Sequence, residues 1–357
     1  METQPIRNGE EIDAGALRDF LRSELGLDSN EIDVEQFPAG SSNLTYLVRI
    51  GATEYVLRRP PFGNTVKTAH DMAREFNVLT KLSTVYLPAP QPLIYSGDTS
   101  IIGSEFYLME RRHGVIIRGR VPDNAGDAIH RLQSSQEFRR SVCRGFIANL
   151  ASLHALDPRD AHLEDLGRPD GYNRRQIEGW TRRYFAGRTH DVHELEEAIT
   201  WLHDHIPAES RACLIHNDYK FDNIMLDPGD LTRITAVLDW EMVTIGDPLM
   251  DLGTTLGYWM SRDATDDILN MPFNPRVLME NVTRQELVEM YSGTIGQKLP
   301  DLLFYYIFGT FKIAVIAQQI YARYVKGFTT DPRFSRFDGF VRQLGRIAAR
   351  AISKGSI

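Results

Sequence analysis

A chain of 357 residues with 42% hydrophobic and 25% charged side chains has the composition of an ordinary globular protein, long enough for two structural units. Its formal net charge of −8 and pI of about 5.7 argue against a nucleic-acid partner. Cys143 and Cys213, far apart, leave no disulfide framework and suit a reducing, cytoplasmic compartment; the polar, acidic start METQPIRNGEEID reads as no signal peptide.

In chain order, residues 11–25 carry Ile12, Leu17, Leu21 and Leu25 at helical spacing. VEQFPAG, NLTYLVRI and EYVLRR follow as three short strands with Gly40 and Gly51 at the turns, the pattern of an antiparallel meander. TAHDMAREFNVLTKLS places Ala69, Met72, Ala73, Phe76, Leu79 and Leu82 on one helical face, and PQPLIYSG and SEFYLMER add two strands. After Arg112 helices dominate: RRSVCRGFIANLASLHALD, one or two more over 174–206, a capped helix after Thr283 with Glu286 in capping-box position, then 301–326 and 332–353. The apolar run 302–321 is interrupted by Lys312, Gln318 and Gln319, which predicts a buried core helix and no membrane span. The expected class is α+β: a small antiparallel-sheet lobe over residues 1–111 and a larger helical lobe over 112–357.

The segment LIHNDYKFDNIMLD (214–227) sets His216, Asp218, Lys220, Asp222 and Asn223 in a turn between two apolar stretches. Phosphoryl transfer from a nucleotide asks for a positioned base at the acceptor hydroxyl and for metal ligands and cations at the phosphates. The spacing His216-x-Asp218-x-x-x-x-Asn223 is that of a kinase-type catalytic loop, with Lys220 able to offset charge on the transferring group. ITAVLDWEMV then reads as a strand ending in an acid, Asp239, placed to share a Mg²⁺ with Asn223. Upstream, FPAGSSNLTYLV is a strand–turn–strand with small residues at the turn, EYVLRR supplies Arg58 on the third strand, and MAREF supplies Glu75 on the next helix to hold that cation.

This succession resembles the aminoglycoside phosphotransferase family, a branch of the protein-kinase-like two-lobe fold. HNDYKFDN and VLDWEMVTIGDPLMDLG are the most specific segments, over about residues 30–260. The resemblance implies an ATP- and Mg²⁺-dependent phosphotransferase acting on a small-molecule hydroxyl. Asp218 would be the catalytic base, with Lys220 and His216 in the loop, and Asn223 and Asp239 the Mg²⁺ ligands. Arg58 and Glu75 would sit near the α/β-phosphates; Ser41, Ser42 and Asn43 over the triphosphate; Met109, Glu110 and Arg111 at the adenine. Asp247 and Asp251 would brace the loop. The chain departs from the kinase pattern in Arg58 for the usual Lys and in DWE for DFG. VLRRPPFG, AHDMAREF and HNDYKFDN further resemble the phosphotransferase-like domains fused to acyl-CoA dehydrogenases, which implies a hydroxyacyl-CoA acceptor. The Arg-rich stretches 111–120 and 174–188 would suit CoA phosphates.

Each feature has a plainer reading: a solvated Asn/Asp turn for 214–227, a surface ion pair for Arg58 and Glu75, a solvated helix face for the Arg clusters. The agreement of several motifs in order favours the active-site reading. His190, His193, His203 and His205 lack the carboxylate or Cys spacing of a zinc site, and His216 reads as a loop-holding residue donating to backbone. A protein kinase is disfavoured because only WEMVTI separates Asp239 from GDP, too short for a peptide platform. A nucleotide-binding module without catalysis, and aminoglycoside, choline or homoserine acceptors, stay open.

Overall fold

The computed structural model describes residues 3–26, 31–38, 43–61, 71–119, 126–260, 264–271, 273–329 and 331–357; the expected phosphate-turn residues Ser41 and Ser42 lie outside them. The chain divides into two compact units, residues 1–113 with 236–241, and residues 114–235 with 242–357. The segment that carries Asp239 thus packs with the first unit, although it follows the catalytic-loop region in sequence.

In the first unit, β1 (Ile32–Gln36), β2 (Leu44–Ile50), β3 (Thr53–Arg59), β4 (Pro92–Ser96) and β5 (Phe106–Glu110) form one antiparallel sheet in the order β1-β2-β3-β5-β4. Strand alternation sends Leu57 of β3 to one face and Arg58 to the other. Leu57 joins Leu17, Leu21, Tyr46, Val48, Phe106 and Leu108 in a core capped by the helix Ala14–Leu25. Arg58 pairs in register with Thr45 on one side and Tyr107 on the other, at the centre of the sheet. The helix Met72–Leu82 begins where Asp71 accepts the Arg74 N–H at 2.8 Å. That start puts Glu75 on the buried stripe with Met72, Val78, Leu79 and Leu82, an acid where the pattern asks for an apolar side chain. A short helix, Thr99–Ile102, closed by Gly103 at φ 82°, adds to the expected elements.

The second unit is mainly helical. Its centre is the helix Leu303–Val325, buried on nearly every face and packed against Pro248–Tyr258, Phe337–Lys354 and Tyr172–Gly187. Its most apolar stretch is 83% buried, which accounts for the hydropathy without a membrane. It meets Pro248–Tyr258 at a glycine crossing. A Cβ on Gly253 would fall 2.2 Å from the Tyr305 carbonyl oxygen, and one on Gly309 2.2 Å from that of Gly253, so only hydrogen fits there. The expected capping box is present, Thr283 and Glu286 each bonding the other's backbone N–H.

Four short strands carry the loop region: β6 (Cys213–Ile215), β7 (Ile224–Leu226), β8 (Ile234–Val237) and β9 (Thr244–Gly246). The sequence pattern of strand, turn and strand over 214–226 is right locally, but β6 and β7 are not partners. β6 pairs with β9, Cys213 opposite Gly246, while β7 runs into β8 through a turn closed by the Asp227 N–H to the Arg233 carbonyl. Three-residue strands carry too little side-chain pattern to specify a partner, and a distant segment decides.

Candidate active site

The loop between β6 and β7 is built around Asp218. Asn217, just before it, adopts φ 68°, and the chain turns through the 3₁₀ segment Phe221–Asn223. Asp218 is 8% exposed, and both carboxylate oxygens are held. Oδ2 accepts from Lys220 Nζ at 2.7 Å and from Asn223 Nδ2 at 3.0 Å; Oδ1 accepts from the Tyr258 hydroxyl at 2.6 Å. Burial pushes the Asp218 carboxyl up, but the Lys220 ammonium, through its charge and its hydrogen bond, and the Tyr258 hydroxyl outweigh it, and the net result lies below the usual carboxylate range. Lys220, 4.8 Å above the Tyr258 ring, is held firmly charged by Asp218 despite its own desolvation.

A single helix face supports the loop. On Pro248–Tyr258 the residues Asp251, Thr255 and Tyr258 fall at i, i+4 and i+7, one stripe. Asp251 Oδ2 accepts the His216 N–H at 2.7 Å and Oδ1 the Asn217 N–H at 2.8 Å; the Thr255 hydroxyl donates to the Tyr219 carbonyl at 2.9 Å; Tyr258 reaches Asp218 itself. Behind Asp251, His154 Nε2 donates at 3.1 Å and its Nδ1 takes the Tyr291 hydroxyl at 2.7 Å. Asp247, expected to brace the loop, does not touch it. Its carboxylate caps the helix at Leu249 and takes Ser210 and the Asn173 amide, because the first turn of the helix points it away from the loop. His216 lies within the loop it was expected to hold. Its Nδ1 accepts the Asp218 N–H at 3.2 Å, which ties the imidazole to the loop backbone as an acceptor at that nitrogen.

Both hydrogens of the Asn223 amide are engaged, one on the Asp218 carbonyl at 2.9 Å and one on Oδ2, which turns the amide oxygen away as a free hard donor. An amide oxygen, and likewise a carboxylate such as that of Asp239 in the first unit, is the kind of hard donor that Mg²⁺ takes together with phosphate oxygens; taken singly, each fits the ion by its chemistry.

In the first unit, Arg58 Nη2 lies 2.9 Å from Asp239 Oδ1 and 3.5 Å from Glu75 Oε2. Glu75 Oε1 accepts the Trp240 N–H at 3.2 Å. Burial raises the Glu75 carboxyl to about 7, Arg58 offsetting part of the rise and Asp239 and Glu241 adding to it. Burial works against the Arg58 charge, but Glu75 and Asp239 more than restore it. Asp239 sits at φ 67°, a conformation costly for a residue with a Cβ. Asn43 Nδ2 donates to Glu241 at 3.0 Å, which links the residue just before β2 to the DWE segment. Of the residues expected at the adenine, Met109 is a buried strand residue and the Glu110 N–H is already donated to the Gln91 carbonyl. Arg111 stacks its guanidinium 5.0 Å over Phe37.

The Arg-rich stretches are mostly engaged within the fold. Arg112 pairs with Glu110, Arg118 with Asp222, Arg175 with the carbonyls of Arg168 and Asp170, and Arg183 stacks on Trp180. Arg174 and Arg182 are exposed. Tyr258 and Lys312, both bonded to the loop, belong to no motif of the sequence: Tyr258 is one position of a polar stripe on an apolar helix, Lys312 an interruption of an apolar run.

The sheet-bearing unit, the helical unit and a loop holding an Asp–Lys–Asn cluster define a phosphotransferase of protein-kinase-like fold. A sequence model of the phosphotransferase enzyme family matches residues 33–271, and the chain belongs to that family. Among solved structures it is similar to a Ralstonia eutropha chain assigned to the aminoglycoside phosphotransferases, with 27% identity, TM-score 0.77, and 96% and 99% of the two chains covered. It shares the fold of choline kinase from Cryptosporidium parvum, at 14% identity and TM-score 0.64 over 96% and 97% of the chains. The same holds for aminoglycoside phosphotransferase APH(4)-Ia, solved in ternary complex with AMP-PNP and hygromycin B, at 15% identity and TM-score 0.59 over 95% and 99%. Acyl-CoA dehydrogenase family member 11 of Gallus gallus is 34% identical over 96% of this chain, and member 10 of Mus musculus 32% over 91%. The chain spans only 44% and 30% of the length of those two relatives.

Proposed function

We propose that this phosphotransferase moves the γ-phosphoryl group of ATP to a hydroxyl of a small molecule, and that the acceptor is a hydroxyacyl-CoA. The observation that carries the reading is the setting of Asp218, buried, hydrogen-bonded by Lys220, Asn223 and Tyr258, and held ionised by Lys220 and Tyr258. A carboxylate so held accepts the proton of an acceptor hydroxyl as its oxygen attacks the γ-phosphorus and ADP leaves. Lys220 keeps its charge beside the transferring group. Asn223 and Asp239 are the residues that would hold Mg²⁺, which supplies charge neutralisation at the phosphates. Arg58, fixed by Glu75, is the cation for the α/β-phosphates; Ser41, Ser42 and Asn43 cover the triphosphate; backbone groups of Met109–Arg111 meet the adenine.

One observation supports the acyl-CoA acceptor: relatives that are 34% and 32% identical to this chain carry acyl-CoA in their names.

The test is acceptor-dependent ADP release with Mg-ATP, over hydroxyacyl-CoAs, aminoglycosides, choline and homoserine, with Asp218→Ala as control. Release with a hydroxyacyl-CoA, lost in the variant, is expected. Release with a cationic acceptor alone would overturn the acyl reading. Mg-ATP binding without turnover on any acceptor would point to a nucleotide-binding module.

A further inference from the structure

We infer that Lys312 is a positioning residue for the catalytic loop: from the core helix it clamps the peptide that leads into Asp218. The inference rests on the reading of Asp218 as the proton acceptor. Lys312 is 1% exposed, on a helix whose other inward residues are nearly all apolar. Its Nζ donates to the Asn217 carbonyl at 2.6 Å, approaches Asn217 Oδ1 at 3.3 Å, and lies 5.6 Å over the Trp180 ring. Among the described residues no carboxylate forms an ion pair with it. A buried ammonium without a counter-ion costs several kcal/mol relative to a Met of similar volume. Packing therefore gives no reason for a lysine here, and its one close partner does.

That partner is unusually constrained. Asn217 holds φ 68°, a region that favours glycine, and every polar group it has is engaged. Its N–H goes to Asp251, its Nδ2 to the Met242 carbonyl at 3.0 Å, its Oδ1 accepts the Tyr172 hydroxyl at 3.2 Å, and its carbonyl accepts from Lys312. The peptide joining Asn217 to Asp218 is thus held at both ends, its C=O by Lys312 and its N–H by His216 Nδ1. A peptide is planar, so fixing both ends fixes the direction in which the Asp218 side chain leaves the backbone. Without Lys312 the carbonyl end is unheld and the peptide plane is fixed only through its N–H. A misplacement of about 1 Å at a reacting group costs on the order of a hundredfold in rate.

The test uses Lys312→Met, Lys312→Gln and wild type, with two readouts. For Lys312→Met, kcat is expected to fall about ten- to a hundredfold while KM for Mg-ATP stays within about twofold. Backbone amide exchange over residues 216–219 is expected to quicken at least about tenfold in the same variant. Lys312→Gln keeps an N–H donor on a shorter stem and should fall between wild type and Met in both. Wild-type kcat and exchange in a folded Met variant would overturn the proposal, as would equal losses in kcat and Mg-ATP affinity or a Gln variant no better than Met. If the Met variant does not fold, Lys312→Gln decides by the same two readouts against wild type. The exchange readout needs no acceptor, so a wild type inactive on every acceptor refutes phosphotransfer while the clamp is still judged by exchange.

Discussion

The Tyr258 hydroxyl donates to Asp218 Oδ1 at 2.6 Å, from the helix whose Asp251, two turns earlier, holds the loop backbone beside that carboxylate. One helix face therefore sets both where the loop runs and how basic its carboxylate is. The hydroxyl is itself pushed far above its ordinary range by burial and by the Asp218 charge, so it stays a donor at any working pH.

Tyr258→Phe removes one of the donors that hold the Asp218 carboxyl low against burial. The carboxyl moves up, and the acid limb of the kcat–pH profile moves to higher pH, while KM for Mg-ATP is unchanged. A profile measured from acid to neutral pH checks this; a limb that stays in place removes Tyr258 from the electrostatics of Asp218.

Asp218→Ala and Asp239→Ala should separate chemistry from nucleotide binding. The first lowers kcat by a factor on the order of 10²–10⁴ and leaves Mg-ATP affinity nearly intact. The second weakens Mg-ATP binding itself. Isothermal calorimetry on both variants decides, and wild-type affinity in Asp239→Ala would count against metal ligation there.

Arg58→Ala leaves Glu75 buried without its cation, and stability should fall by roughly 3–5 kcal/mol. The pair Arg58→Met with Glu75→Met, which removes both charges, should recover most of that loss. Urea unfolding of the variants measures it. A single variant as stable as wild type would mean that the ion pair contributes only as an exposed one does.

Arg174→Ala with Arg182→Ala tests the CoA-phosphate reading on two exposed arginines of the 174–188 stretch. KM for a CoA thioester should rise several-fold with KM for ATP unchanged. Equal changes in both would assign these side chains to the solvated helix face.

Desolvation depresses the Lys312 ammonium to about 8, against about 10.4 for a lysine in the unfolded chain. Below the folded value both states carry the proton and the penalty for burying it is fully present. Between about pH 8 and 10.4 the unfolded state holds the proton and the folded state does not, so stability gains about 3 kcal/mol from this group as pH rises. The Asp218, Asp251, Arg183 and Lys220 charges around it set that value. Lys312→Met should lack this rise, read as the difference in urea midpoint between variant and wild type from pH 7.5 to 10. Parallel curves would mean that the amine titrates as in water.

The chain itself determined whatever local pattern can carry. The helix over Met72–Leu82, β3 with Arg58, the Thr283–Glu286 capping box and the order of loop, strand and Asp239 follow from periodicity, caps and spacing, which act within a few residues. Tertiary structure decided what those residues meet. β6 took β9 as its partner, Asp247 turned to Ser210 while Asp251 took the loop, and Tyr258 and Lys312, 40 and 95 residues from Asp218 and Asn217, completed the site. The reason is physical: a helix or a three-residue strand fixes its own periodicity, but which face turns toward which partner is chosen by packing across the whole unit. In the second unit that choice brought the Lys312 ammonium against the Asn217 carbonyl, beside the Asp218 carboxylate.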